Sequence, residues 1–207
     1  MENVIFIEAK KEDTSECNFL KTVLAKYFAD KPVRFVCMDG VGNLFNEVNL
    51  NKMHQTMDEG DNILVLLDAD TLPKGYGFAK RKAEVEKLMQ QNGLSFTFFL
   101  YPNNGDDGDV ETLMETLACK NLHKEWWDCY GDYERCIDGV KDVVGNKRYN
   151  LPNLKAKLHT YISSQQLTGS QRRKLGSGQW LFDDANYWNL TCDSLKPLLD
   201  FFNTNLK

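Results

Sequence analysis

The sequence predicts an α/β protein: a Rossmann-like core with a four-stranded parallel sheet flanked by helices. Three observations carry that prediction. Four short segments, Val4–Ile7, Val33–Met38, Ile63–Leu67 and Phe96–Leu100, form continuous or near-continuous apolar runs, as strands buried on both faces do. Helical patterns separate them, so the order through residue 118 is β-α-β-α-β-α-β-α, which implies parallel strands. Acidic residues follow the first, third and fourth runs, on the edge where such sheets gather ligands.

After the first strand, Asp13 with Glu16 three residues later reads as a box-like helix start. Cys17, Leu20, Leu24 and Tyr27 then recur at helical spacing, and Phe19, Val23 and Phe28 widen the stripe. A less regular helix falls within 43–57, after the second strand. Phe78–Gln91 follows the third strand, with Val85, Leu88 and Met89 apolar among charges, and Asn92-Gly93 ends it. Val110–Ala118 follows the fourth.

Beyond residue 118 the alternation stops. His123–Val144 reads as a helix with Trp126, Trp127, Tyr130, Tyr133, Ile137 and Val140 as apolar surface. Leu154–Gln166 is a cleaner one, with Leu154, Leu158, Tyr161 and Ile162 on one face. Residues 167–179 hold three glycines and the cluster Arg172-Arg173-Lys174, and read as a mobile loop. Leu195–Asn203 closes the chain as a helix, with Pro197 tolerable in its first turn. The expected organisation is a core over 1–118 and a helical extension over 119–207 packed on that core.

The chain has 207 residues, 42% hydrophobic and 27% charged, ordinary globular values that argue against disorder. Its net charge of −5 argues against a binder of nucleic acid or membrane driven by bulk charge. A local basic surface remains open. No apolar run approaches the ~20 residues that cross a bilayer, and Met1-Glu2-Asn3 lacks the positive region of a signal peptide. The expected location is the cytoplasm, with no membrane partner. Six cysteines form no C-x-x-C pair, so reduced, mostly structural thiols are expected.

Glu8 stands just after the first strand, and Asp68 and Asp70 just after the third. On a parallel sheet all three emerge on one edge. Close carboxylates repel and raise one another's pKa, and a hard divalent cation such as Mg²⁺ relieves the repulsion. Asp106, Asp107, Asp109 and Glu111 add acids after the fourth strand. Each taken alone suits a helix cap or a solvated turn. Their agreement at three strand ends favours a site.

These residues resemble the Toprim domain of primases, topoisomerases, recombination proteins and OLD-family nucleases. The likeness is greatest to small stand-alone Toprim-like proteins of unknown function related to the OLD nucleases. It covers about residues 3–118 and rests on Ile7-Glu8, on Phe19-Leu20 in the following helix, on Asp39-Gly40-Val41-Gly42-Asn43-Leu44, and on Asp68-Ala69-Asp70. Two departures stand out. Ala9 replaces the usual glycine after the glutamate, and the glycine pair of the second segment is reduced to Asp39-Gly40.

The resemblance implies Mg²⁺ (or Mn²⁺) held by Asp68 and Asp70, with Glu8 as a ligand or as the proton-transfer group. Asp107, Asp109 or Glu111 would complete a second metal position. It implies metal-dependent phosphodiester hydrolysis of nucleic acid. Some OLD nucleases also need a later lysine, for which Lys155 and Lys157 are candidates, Lys157 sharing a face with Tyr161. Lys10, Lys11, Arg172, Arg173 and Lys174 would hold the nucleic-acid backbone. No ATPase domain is attached, so a separately encoded ATPase or other protein is the implied partner. The alternative is a catalytically degenerate Toprim module that binds a partner, favoured by the net charge and by Ala9. Glycosyltransferases and haloacid dehalogenases also use Asp-x-Asp. Here 62 residues precede the strand that carries it, which ranks both below Toprim.

Overall fold

The structure, a computed structural model, describes residues 1–207. Four strands, β1 (Asn3–Ile7), β2 (Val33–Cys37), β3 (Asn62–Asp68) and β4 (Thr97–Tyr101), form one sheet in the order β2-β1-β3-β4. Every neighbouring pair is parallel. Eight helices accompany them: α1 (Ser15–Tyr27), α2 (Glu47–Asp58), α3 (Phe78–Gln91), α4 (Val110–Leu117), α5 (Lys124–Asp138), α6 (Leu154–Ser163), α7 (Gly169–Gly176) and α8 (Lys196–Asn205).

Alternation along the strands divides the core in two. Val4, Phe6, Ile63, Val65, Leu67 and Leu100 pack with Met53 of α2 and Val85 of α3. On the other face, Ile5, Ile7, Leu64, Leu66, Phe99 and Tyr101 join one apolar cluster with α1, α4, α6, α8 and residues 180–190. Residues 119–207 therefore complete the cover of one sheet face. Aromatic edges stitch them down: Phe182 meets Phe19 at 5.4 Å between ring centroids, and Phe202 meets Phe28 at 5.8 Å. No helix is long and apolar enough to cross a membrane.

Local chemistry shifts several boundaries. Thr14, not Asp13, caps α1 by accepting from the Cys17 N–H, while Asp13 pairs with Lys11. Asn46 caps α2 and sets its start at Glu47. The segment expected as a mobile loop contains α7: Thr168 and Gln171 form a reciprocal capping box, and Leu175 is buried.

The chain ends clasp the sheet. Asn3, fully buried, donates to Pro32 O and Lys207 O, each at 3.0 Å. Its Oδ1 accepts from Asn62 Nδ2 at 2.8 Å and from the Lys207 N–H at 3.0 Å. Asn3→Ala strips partners from all of these groups. It should lower stability by ~2–3 kcal/mol in urea unfolding; an unchanged midpoint would show that the clasp contributes nothing.

Candidate functional site

The strand order reverses between β1 and β3: the chain leaves β1 for β2 on one side and β3 for β4 on the other. Such a reversal opens a crevice beyond the carboxyl ends of the two strands. Glu8 follows β1 and Asp68 ends β3, so both stand there. The β1–β2 ladder continues past the strands, with the Gly40 N–H donating to Glu8 O at 2.8 Å. Gly40 has φ +101°, a left-handed turn that favours glycine.

The two acids are tied together. Glu8 Oε1 accepts from the Asp68 backbone N–H at 2.7 Å. Asp68 Oδ1 accepts from the Val110 N–H, the first of α4, at 2.9 Å. A helix N-terminus favours negative charge there. Glu16, in the first turn of α1, and Glu111, in the first turn of α4, are 7% and 8% exposed. With Glu8 and Asp68 they line an open cleft of ≈350 Å³, shared with Lys10, Asp39 and Lys155. With Asp39 the wall carries five carboxylates, and no three of them are drawn together into a metal-binding group.

Several polar groups near this cleft lack partners. Glu111 Oε1 lies 3.0 Å from Lys155 Nζ but outside hydrogen-bond geometry, so this buried oxygen has no hydrogen bond. Tyr101 sits opposite Asp68 in register, and its fully buried hydroxyl is also unmatched. Ser15 Oγ is a third.

Burial dominates the electrostatics. It pushes Glu8 up to about 7, against the lowering effect of the Asp68 N–H. It pushes Glu16 up to about 8, reinforced by the charges of Glu8 and Glu111. Asp68 is held well above the usual range by burial and then by Glu8, Glu16 and Glu111. The acids are short of compensating charge.

Other expected site residues are placed elsewhere. Asp70 has φ +59°, and its N–H and C=O pair with Gly108 at 2.7 and 2.8 Å. That turn sends its carboxylate to Lys74 (2.9 Å) and Arg81 (3.1 Å) instead of the cleft. Asp109 caps α4 in a capping box with Thr112, and Asp107 accepts from the Phe78 N–H at the start of α3. Lys157 pairs with Glu134 (3.1 Å) and Glu115 (3.6 Å), while Lys155 faces the cleft. Lys10 is exposed at the cleft mouth, Lys11 pairs with Asp13, and Arg172, Arg173 and Lys174 are exposed on α7. Ala9 keeps a negative φ and buries its methyl in the core, so this backbone does not require glycine there.

Glu16 and Tyr101 are the neighbours that sequence reasoning missed. An acid in a first helical turn reads as a cap partner, and a Tyr ending an apolar strand reads as core. Of the larger clefts, the two of ≈570 Å³ run beside α1 and residues 179–191; neither gathers acids.

Fold and site together define an open α/β sheet protein with an acidic cleft, lined by five carboxylates, at its switch point. Residues 2–207 match the family described as Protein of unknown function (DUF3226), and the chain belongs to that family. No curated protein and no solved structure matches it.

Proposed function

We propose that the chain is a Toprim-like, Mg²⁺- or Mn²⁺-dependent phosphodiester hydrolase that acts on nucleic acid in the cytoplasm. One observation carries the reading: Glu8 and Asp68, joined by a hydrogen bond at the switch point, with Glu16 and Glu111 on the same cleft wall. The donor set fits a hard cation, because the cleft offers carboxylate oxygens and neither thiolate nor imidazole. Glu8 and Asp68, the two acids tied together, would hold the ion. Bound there, it supplies charge neutralisation and an activated water.

The chain's own residues do the rest. Where Glu8 is not bound to the ion, burial, which raises its carboxyl to about 7 in the ion-free protein, suits it to take or return a proton near neutral pH. Lys155 sits at the rim beside Glu111, where its charge meets a phosphate entering the cleft. Lys10 at the mouth, with Lys11 and the α7 cluster Arg172, Arg173 and Lys174, provides cations for the backbone, so binding should weaken with salt. Six unpaired thiols suit a reducing compartment. A separately encoded ATPase is the partner class that the Toprim resemblance implies.

The second reading is a degenerate Toprim module that binds without cleaving. The pairing of Asp70 with Arg81 and Lys74 favours it, since an acid expected at the metal is engaged elsewhere. Labelled single- and double-stranded DNA and RNA, incubated with Mn²⁺, separate the two. Cleavage by the unmodified chain that falls ~10²–10⁴-fold in Glu8→Gln supports the hydrolase. Salt-sensitive binding with no cleavage of any substrate supports the module.

A further inference from the structure

We infer that two copies of this chain pair through the outer edge of β2, antiparallel about a twofold axis at Phe35, and join their four-stranded sheets into one. The inference is independent of the proposed chemistry and rests on backbone groups. β2 is an edge strand with β1 as its one neighbour. The Asn3 N–H donates to Pro32 O at 3.3 Å, and the Met38 N–H donates to Ile7 O at 3.0 Å. Residues 32, 34, 36 and 38 therefore turn their N–H and C=O groups toward β1, and Val33, Phe35 and Cys37 turn theirs outward. Those outward groups make no hydrogen bond within the chain. The three residues are evenly spaced about Phe35, so an antiparallel copy matches each of them. Phe35 faces its own counterpart, and Val33 faces the partner's Cys37. Each facing pair exchanges two hydrogen bonds, which satisfies every outward group of β2 on both chains.

The other edge of the sheet is blocked by a turn. On β4 the Leu100 N–H donates to Asn104 Oδ1 at 3.2 Å, and the Leu100 C=O accepts from the Asn104 N–H at 2.8 Å. One open edge gives a closed pair of chains and not a filament. Clefts of ≈430 Å³ and ≈480 Å³ run along β2, the first on the α2 side and the second on the α1 side. They leave room beside the edge on both faces of the sheet. Both signs of charge line them, with Glu2, Glu12 and Glu59 among Lys21, Arg34 and Lys52. A second copy therefore does not meet a rim of one sign that would drive it off. The self-matching register and the single open edge favour a second copy over a foreign strand, which would need neither. At about one hydrogen bond per 100–200 Å², the paired edges go with ~600–1,200 Å² of buried surface, the small end of specific interfaces. Association is expected in the micromolar range.

Sedimentation of the full chain from micromolar to millimolar concentration tests this, and the unmodified chain should pass from one copy to two. Cys37→Pro removes an outward N–H and leaves the β1 ladder whole, so it should raise the dissociation constant about tenfold or more. Val33→Cys gives a covalent reading of the register. Across the axis, positions 33 and 37 face each other at ~5.5 Å between Cα atoms, within reach of a disulfide. Within one chain they stand ~13 Å apart, out of reach. Mild oxidation of Val33→Cys should give a covalent pair bridged from position 33 to Cys37, and adding Cys37→Ser should abolish it. The mass of the unmodified chain and this bridge decide the matter even if Cys37→Pro fails to fold. A single copy at millimolar concentration, two copies unaffected by Cys37→Pro, or no bridge between positions 33 and 37 would each overturn the inference. Uptake of an extended peptide along β2 by a chain that stays single would assign the edge to another protein instead.

Discussion

Raised from pH ~5 to ~8 in EDTA, the protein should lose several kcal/mol of stability, and Glu16→Gln should recover much of that loss. Glu8 moves from 4.5 to about 7 on folding, and Glu16 from 4.5 to about 8. Above pH 4.5 the unfolded chain releases these protons while the folded chain still holds them. Proton release then favours unfolding, and the penalty grows until pH passes the folded values. A carboxyl displaced as far as Glu16 contributes on the order of 5 kcal/mol at ~1.4 kcal/mol per tenfold change in its proton equilibrium. That is large beside a total of ~5–15 kcal/mol. Asp68 acts in the same direction. The amide of Glu16→Gln has the shape of the protonated acid and never ionises, so the variant should match the unmodified chain near pH ~5 and exceed it near pH ~8. Urea midpoints at both pH values decide the matter. A flat pH profile, or a variant less stable at the higher pH, would mean that the cleft is wetter and better compensated than its geometry implies.

Residues 1–118 produced alone should not fold. The isolated segment keeps all four strands and α1 to α4, yet one sheet face loses Tyr161, Phe182, Trp188, Leu198 and Phe202. Ile5, Ile7, Leu64, Leu66, Phe99 and Tyr101 then lose part of their cover, with only α1 and α4 left on that face. At ~1.5–3 kcal/mol for each fully buried side chain, cover lost from six positions removes up to ~9–18 kcal/mol. This matches or exceeds the stability of a whole domain, ~5–15 kcal/mol. Circular dichroism should show little ordered structure and no cooperative melt. A cooperative transition in the fragment would establish residues 119–207 as a dispensable appendage.

The strands were legible because burial on both faces leaves a nearly unbroken apolar run, and each observed strand starts within one residue of its run. Glu8 and Asp68 were legible for a related reason: parallel strands place their last residues on one edge. What the letters hid depends on distant partners. Asp70 faces away because its backbone pairs with Gly108, far along the chain. Lys155 and Lys157 stand about 200° apart around their helix, and the packing of Leu158, Tyr161 and Ile162 decides which of them meets the cleft. The helix α7 was written in Thr168 and Gln171, whose spacing suits a capping box, but neighbouring glycines masked it.

The proposed function turns on a cation held between Glu8 and Asp68. The most direct test is a crystal of the full chain soaked in Mn²⁺ and examined by anomalous scattering. The predicted result is one strong peak in the cleft, bound by Glu8 and Asp68 with Glu16 or Glu111 turned toward it, and Asp70 still on Arg81. A cleft without a peak at saturating Mn²⁺, or a peak between Asp70 and Asp109 with Lys74 displaced, would contradict it.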